Sequence, residues 1–132
     1  MYREYQINTH SRVEFIDITP QLENAVRESK IKDGLVFVYI PHTTAAVTIN
    51  EHADPSVVSD IIKHLKNLVP ENAEYSHFEG NSDAHIKASL IGTSVQVPLQ
   101  GGRLMLGTWQ GVFFCEFDGP RRRRFSVTII SC

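Results

Sequence analysis

Alternating and periodic apolar positions divide the chain into short strands and helices. The run YREYQIN and, after the break at His10-Ser11, RVEFIDI alternate as half-buried strands do, which predicts two strands joined by a short turn. In the second, Val13, Phe15 and Asp17 oppose Glu14, Ile16 and Ile18. Thr19-Pro20 then offers an N-cap and a proline at the first helical position; Leu22, Ala25, Val26 and Ser29 share one helical face, and Asp33-Gly34 ends the helix. Residues 35–40, LVFVYI, are a continuous apolar run rich in β-branched and aromatic residues, lie between Gly34 and Pro41, and are too few for a helix; they predict a central strand.

Beyond His42, TTAAVTINE reads as extended. Asp54-Pro55 opens a second helix whose Val57, Val58, Ile61, Ile62, Leu65 and Leu68 recur at three- and four-residue spacing, and Pro70 closes it. ENAEYSHFEGNS is a polar loop, and SDAHIKASLIG is helical with a glycine where a C-terminal cap belongs. TSVQVPL, RLMLG, GVFFCEFD and FSVTIIS follow as strands, separated by Gly101-Gly102, Gly107 and Gly119-Pro120. The pattern predicts one α+β domain over residues 1–132, with about seven mainly antiparallel strands in a two-layer β-sandwich flanked by two or three helices.

Charge narrows the function classes. The 132 residues carry 13 basic and 15 acidic side chains, a net charge of −2. Four of the basic residues are consecutive, Arg121 to Arg124, so an acidic body carries one basic block. A general nucleic-acid binder needs a basic face, so nucleic acid is not an expected partner. Cys115 and Cys132 form no C-x-x-C pair, which excludes a zinc ribbon or disulfide framework and suits a reducing compartment. No apolar run approaches the roughly 18 residues of a membrane span, and MYREYQINTH lacks the apolar core of a signal peptide. A cytoplasmic location and no membrane partner are expected.

Several polar residues sit where packing does not account for them. If the strand after Pro41 is unbroken, His42, Thr44, Thr48 and Asn50 line one face, with Glu51 just beyond; an exposed polar face on an edge strand reads equally well. His85 lies near the start of the third helix, where the helix dipole favours neutral imidazole and free N–H groups can hold a phosphate, with Lys87 close by. His77, on the polar loop, can fold back beside it. His42, His77 and His85 together suit an open metal site, although their spacing is not a zinc pattern. His64 falls on a polar helix face, His10 in a turn, and His52 beside Glu51 without a clear partner. Glu116 shares a strand face with Val112 and Phe114, which calls for a paired, ligating or edge-exposed carboxylate. GTWQG sets Trp109 and Gln110 in a glycine-flanked turn suited to a planar ring, or to a core anchor. The arginine block reads as solvated, intersubunit or phosphate-binding, with Arg121 and Arg122 nearest the Gly119-Pro120 turn.

The strings HTTAAVTINEHADP, NSDAHIKASLIGTSV and GRLMLGTWQGVFFCEFDGPRRRR, in that order, resemble the YjbQ family, also called UPF0047 or the secondary thiamine-phosphate synthase family. The resemblance covers nearly the whole chain and implies a β-sandwich subunit in a homotrimer. It marks His42 with Thr43, Thr44 and Ala45, then Asn50, Glu51, Asp54 and Pro55, His77, His85 with Lys87, the turn Gly107-Thr108-Trp109-Gln110, and Glu116. The implied activity joins hydroxymethylpyrimidine diphosphate to a thiazole phosphate with loss of pyrophosphate, although the familiar thiamine-phosphate synthase is a larger (β/α)8 barrel. On this reading a divalent metal, zinc or another transition ion, is held by His42, His77, His85 and Glu116. His85 and Glu51 are the expected catalytic residues. Thr43, Thr44, Asn50, Lys87, Thr108, Trp109, Gln110 and Arg121 are the expected contacts to a small phosphorylated substrate. The alternatives are a metal-dependent enzyme acting on another phosphorylated metabolite and a non-catalytic metabolite-binding trimer.

Overall fold

The computed structural model describes residues 1–132. Its elements run β1 (Tyr2–Asn8), β2 (Glu14–Asp17), α1 (Thr19–Ser29), β3 (Gly34–Tyr39), β4 (Ala45–Glu51), α2 (Pro55–Leu68), α3 (Ser82–Ile91), β5 (Ser94–Gln100), β6 (Arg103–Leu104), β7 (Gln110–Glu116) and β8 (Arg122–Ser131). A five-stranded sheet in the order β1-β8-β3-β5-β6 faces a three-stranded sheet in the order β2-β7-β4. Every pairing is antiparallel, and β3 is central in the larger sheet, as its unbroken apolar run predicts.

Period-two alternation builds the core. From the larger sheet, Val36, Val38, Val97, Leu99, Phe125, Val127 and Ile129 meet Ala45, Val47, Val112 and Phe114 of the smaller one, and α1 adds Leu22, Ala25 and Val26. The opposite parity of β4 and β7, Ala46, Phe113 and Cys115, packs with Phe117 against Ala84 and Ala88 of α3. The smaller sheet is therefore covered on both sides, which is why GVFFCEFD reads as a nearly continuous apolar run. Burying each large side chain contributes about 1.5–3 kcal/mol before entropy is counted. The same parity aims Glu116 between the sheets with Val112 and Phe114, and aims Arg123 inward with Phe125, Val127 and Ile129.

Several local features differ from the sequence expectation. Strands β1 and β2 do not form a hairpin: β1 pairs with β8 and β2 with β7, so the link between them passes from one sheet to the other. Alternation alone cannot say which partner satisfies a strand's backbone. Eight strands form rather than about seven; RLMLG supplies only the two residues of β6, and the arginine block lies largely inside β8. Thr19 is the first residue of α1, not its cap, and its hydroxyl accepts from the Val112 N–H at 2.9 Å. That helix ends at Ser29, followed by Lys30 at φ 59°, well before Asp33-Gly34. Helix α2 begins as expected, with the Asp54 carboxylate accepting from the Ser56 N–H at 2.9 Å. The even face of β4 is not a solvated edge, because Ala46 is buried against α3 and Thr48 is half-buried, leaving Asn50 exposed.

Candidate functional site

At one end of the sandwich a polar cleft of about 400 Å³ brings together His42, His77 and His85 with Thr43, Thr44, Glu79, Asn81, Arg121 and Arg123; its lining is polar except for Pro41. His42 comes from the β3–β4 connection, His77 from the loop after α2, His85 from the first turns of α3, and the arginines from the start of β8. The His77 and His85 rings meet edge to face, centroids 5.4 Å apart, and His77 Nε2 lies 3.7 Å from Glu79 Oε1. His42 Nε2 lies 3.0 Å from the Arg124 amide nitrogen and 3.1 Å from its carbonyl oxygen. In one tautomer Nε2 accepts from that amide. In the other, Nε2–H donates to the carbonyl and Nδ1 becomes the basic nitrogen. Burial lowers the His42 pKa, and the charges of Arg123 and Arg124 add to this.

The wall and floor of the cleft are tied together by charge. Arg121 donates from Nε to the Asp118 carbonyl and from Nη2 to Asp118 Oδ2, both at 2.8 Å. Asn81 Nδ2 donates to the same Oδ2 at 2.8 Å, while Asn81 Oδ1 is buried without a partner. Beneath, Glu116 Oε1 accepts from Thr9 Oγ1 at 2.7 Å and Arg123 Nε at 2.9 Å; Oε2 accepts from Arg123 Nη2 and from the Asp118 N–H at 3.0 Å. Arg123 Nη2 also donates to Thr44 Oγ1 at 2.8 Å. Gly119 completes this corner: a Cβ there would stand 2.3 Å from the Ser11 carbonyl oxygen and 2.8 Å from Glu116 Cγ.

This geometry sorts the residues marked in the sequence. The cleft unites His42, Thr43, Thr44, His77, His85 and Arg121. Glu116 is not an open ligand, because its carboxylate is buried and fully engaged as the anchor of Arg123. Lys87 is not beside the cleft either. Two residues along a helix are about 200° apart, so Lys87 turns away from His85 and lies 3 % exposed, its Nζ 3.3 Å from Asp83. Asn50 and Glu51 stand at the far end of β4, about 20 Å along the strand from Ala45. Asn50 Oδ1 accepts from the Glu51 N–H at 2.7 Å and Glu51 Oε2 from the Ala53 N–H at 3.1 Å. Thr108, Trp109 and Gln110 are at that same far end, since Gln110 pairs with Glu51. Gln110 Oε1 accepts from the Gly107 N–H at 2.8 Å, closing its own turn, and Trp109 is 63 % exposed.

Arg123, Asn81, Arg12 and Asp83 were not singled out by the sequence. Parity with Phe125 marks Arg123 as inward, and the four-residue spacing of Asp83 and Lys87 marks a helical pair. Arg12 contacts Asp83 through two bonds of 3.2 Å, a long-range contact that no local pattern signals. As they stand, no three His, Cys, Asp or Glu side chains converge on one point. Imidazole is a common transition-metal ligand, and the three rings line one cleft without converging on a common point.

Fold and cleft together define a small two-sheet α+β protein with a histidine- and arginine-lined pocket at one end of its sandwich. Residues 3–132 match the family model described as "UPF0047 protein YjbQ-like", and the chain belongs to that family. It is 58% identical over 130 residues to the UPF0047 protein MJ1081 of Methanocaldococcus jannaschii, covering 98% of this chain and 94% of that one. It is 48% identical over 124 residues to UPF0047 protein YugU of Bacillus subtilis, covering 93% and 94% respectively. A crystal structure of a YjbQ/UPF0047 family protein of Clostridium acetobutylicum superposes with a TM-score of 0.96 at 52% identity, over 97% of this chain and 99% of that one. A YbjQ-like protein of Sulfolobus solfataricus also gives 0.96, at 32% identity, over 100% and 97%. No helix is long and apolar enough to cross a membrane.

Proposed function

We propose that the histidine cleft is the active site of a metal-dependent cytoplasmic enzyme acting on a small phosphorylated metabolite. The observation that carries this reading is the meeting of His42, His77 and His85, from three separate segments, with Arg121 in a cleft whose lining is polar except for Pro41. His77 and His85 would hold a divalent metal with His42. When bound, the metal supplies positive charge to phosphate oxygens that become more negative as a bond to phosphorus or carbon breaks. Arg121, oriented by Asp118, adds a guanidinium suited to the same oxygens. His42, kept neutral by burial and its arginine neighbours, has Nδ1 free to ligate or accept a proton when Nε2–H donates to the Arg124 carbonyl. Glu51 cannot serve as base here within one subunit, because it lies at the other end of β4.

Thiamine-phosphate synthesis is the specific reaction to test first. In one subunit the cleft offers groups for the pyrophosphate half of that substrate but no aromatic wall for the pyrimidine, since Trp109 is at the opposite end. A homotrimer, in which a second copy presents its exposed Trp109 side chain to the cleft, would complete the site. The exposed Tyr39 and Ile130 and the half-buried Leu35 and Phe37 on the outer face of the five-stranded sheet favour such association. The test is metal content and turnover of the wild type and His85→Asn, with the pyrimidine and thiazole substrates and with a panel of phosphate esters. The wild type is expected to bind metal and turn over one of these, and His85→Asn to lose both. Full metal content and activity in His85→Asn overturns the site; tight substrate binding without turnover favours a binding protein.

A further inference from the structure

The opposite end of the molecule carries a second constellation, built around a histidine with no assigned role. His52 Nδ1 lies 2.8 Å from Asp17 Oδ2, and Asp17 Oδ1 accepts from the Thr19 N–H at 2.9 Å. The His52 N–H donates to the Trp109 carbonyl at 2.9 Å, fixing the backbone beneath the ring. Gly111 leaves the space the ring fills: a Cβ there would stand 2.3 Å from His52 Nδ1. With Nδ1–H donating to the carboxylate, the imidazolium form has Nε2–H left to donate to an anion.

His52 borders a cleft of about 270 Å³ between α1 and β6, where Arg27 and Arg103 present guanidiniums and Val26, Leu104 and Leu106 form an apolar patch. Neither arginine has a carboxylate within ion-pair distance; of the other six, Arg3, Arg12, Arg121, Arg123 and Arg124 are paired and only Arg122 is not. Glu23 is the one carboxylate lining the cleft, so two cations outnumber it before His52 is counted. Unpaired guanidiniums match the planar forks of carboxylate and phosphate oxygens, and the apolar patch accepts a short carbon body. We propose that this cleft is a second ligand site, distinct from the histidine cleft, which binds a small oxyanion-bearing metabolite between Arg27 and Arg103 with His52 Nε2 as a third contact.

The test is a titration of the full-length protein followed through the His52 ring signals by NMR, with inorganic phosphate in one arm and succinate in the other. A saturable shift of His52 is expected in at least one arm, and the arm that saturates identifies the oxyanion. Arg27→Gln/Arg103→Gln should weaken the response about tenfold or more, and His85→Asn should leave it unchanged. No saturable response to either anion, an undiminished response in the double arginine variant, or loss of the response in folded His85→Asn overturns the proposal.

Discussion

The carboxylate of Glu116 and the guanidinium of Arg123 are paired between the two sheets, at the end of the apolar interior that supports the histidine cleft. Each reaches this position by strand parity, one from β7 and one from β8. Burial alone pushes the Glu116 carboxyl up, but hydrogen bonds from Arg123, Thr9 and the Asp118 amide outweigh it, and the net pKa lies below the usual carboxylate value. A depressed folded-state pKa gives stability that is present above the unfolded value, about 4.3, and is lost as pH falls through the folded one. Arg123→Met, which leaves the carboxylate buried and unpaired, should cost about 3–5 kcal/mol in urea unfolding at neutral pH. Glu116→Gln should flatten the acid limb of the stability profile below about pH 4.3.

His42 should titrate below the ordinary imidazole value, and its ring signals followed by NMR against pH will show the midpoint. Burial is the first cause, followed by the charge of Arg123 and then that of Arg124 after the opposing hydrogen bond. Arg124→Gln removes one of those charges while keeping the backbone groups that hold Nε2, so the midpoint should move up. Because the folded-state value is depressed, this histidine favours folding above the usual imidazole pKa and opposes it as pH falls below that value.

The division between what the sequence showed and what it hid follows range. Parity and helical spacing are local, and they found β3, α2 and α3 and put Glu116 on the face of Val112 and Phe114, leaving open whether that end of the strand was buried. The same parity, applied to Phe125 and carried back through the arginine block, finds Arg123. Contacts across many residues had no such signal: the β1–β8 and β2–β7 pairings, Arg12 with Asp83, and Asp17 with His52. The marked site residues formed one set in the sequence, yet β4 carries them to both ends of the sandwich, with His42 just before its start and Glu51 at its close. Lys87 misled for a helical reason, since its nearness to His85 in sequence places it on another side of α3.

Lys87→Met separates a structural lysine from a phosphate-binding one. The ammonium is buried against Asp83, which Arg12 also holds, so removing it leaves the carboxylate partly satisfied. A stability loss of about 1–3 kcal/mol is expected. The KM for any phosphorylated substrate of the histidine cleft should not change. A raised KM without a loss of stability would return Lys87 to the site.

The two thiols should differ sharply in reactivity. Cys115 is buried against α3 and burial pushes its thiol pKa well up, whereas Cys132 is exposed. The nucleophile is the thiolate, so both access and ionisation protect Cys115. The native protein should consume one equivalent of a thiol reagent quickly, and the second only after unfolding in denaturant.

Gly111→Ala tests whether the His52–Asp17 contact is built into the fold. The added carbon would stand 2.3 Å from His52 Nδ1 and 2.5 Å from its Cγ, so the ring must move out of the space beside Asp17. Gly111 sits in β7 opposite Asn50, where the backbone is paired and cannot give way without disturbing the ladder. Overpacking of this kind costs about 1–3 kcal/mol, measurable as a lower urea midpoint with an unchanged slope. The same substitution should abolish the phosphate or succinate response of His52 while the titration of His42, at the far end of β4, stays as in the wild type. Asp17→Asn keeps the volume but takes away the carboxylate that pairs with the His52 imidazolium and aims Nε2–H, so the anion response should weaken with much less effect on stability. If Gly111→Ala preserved the His52 response, the ring would not depend on this contact to be held in place.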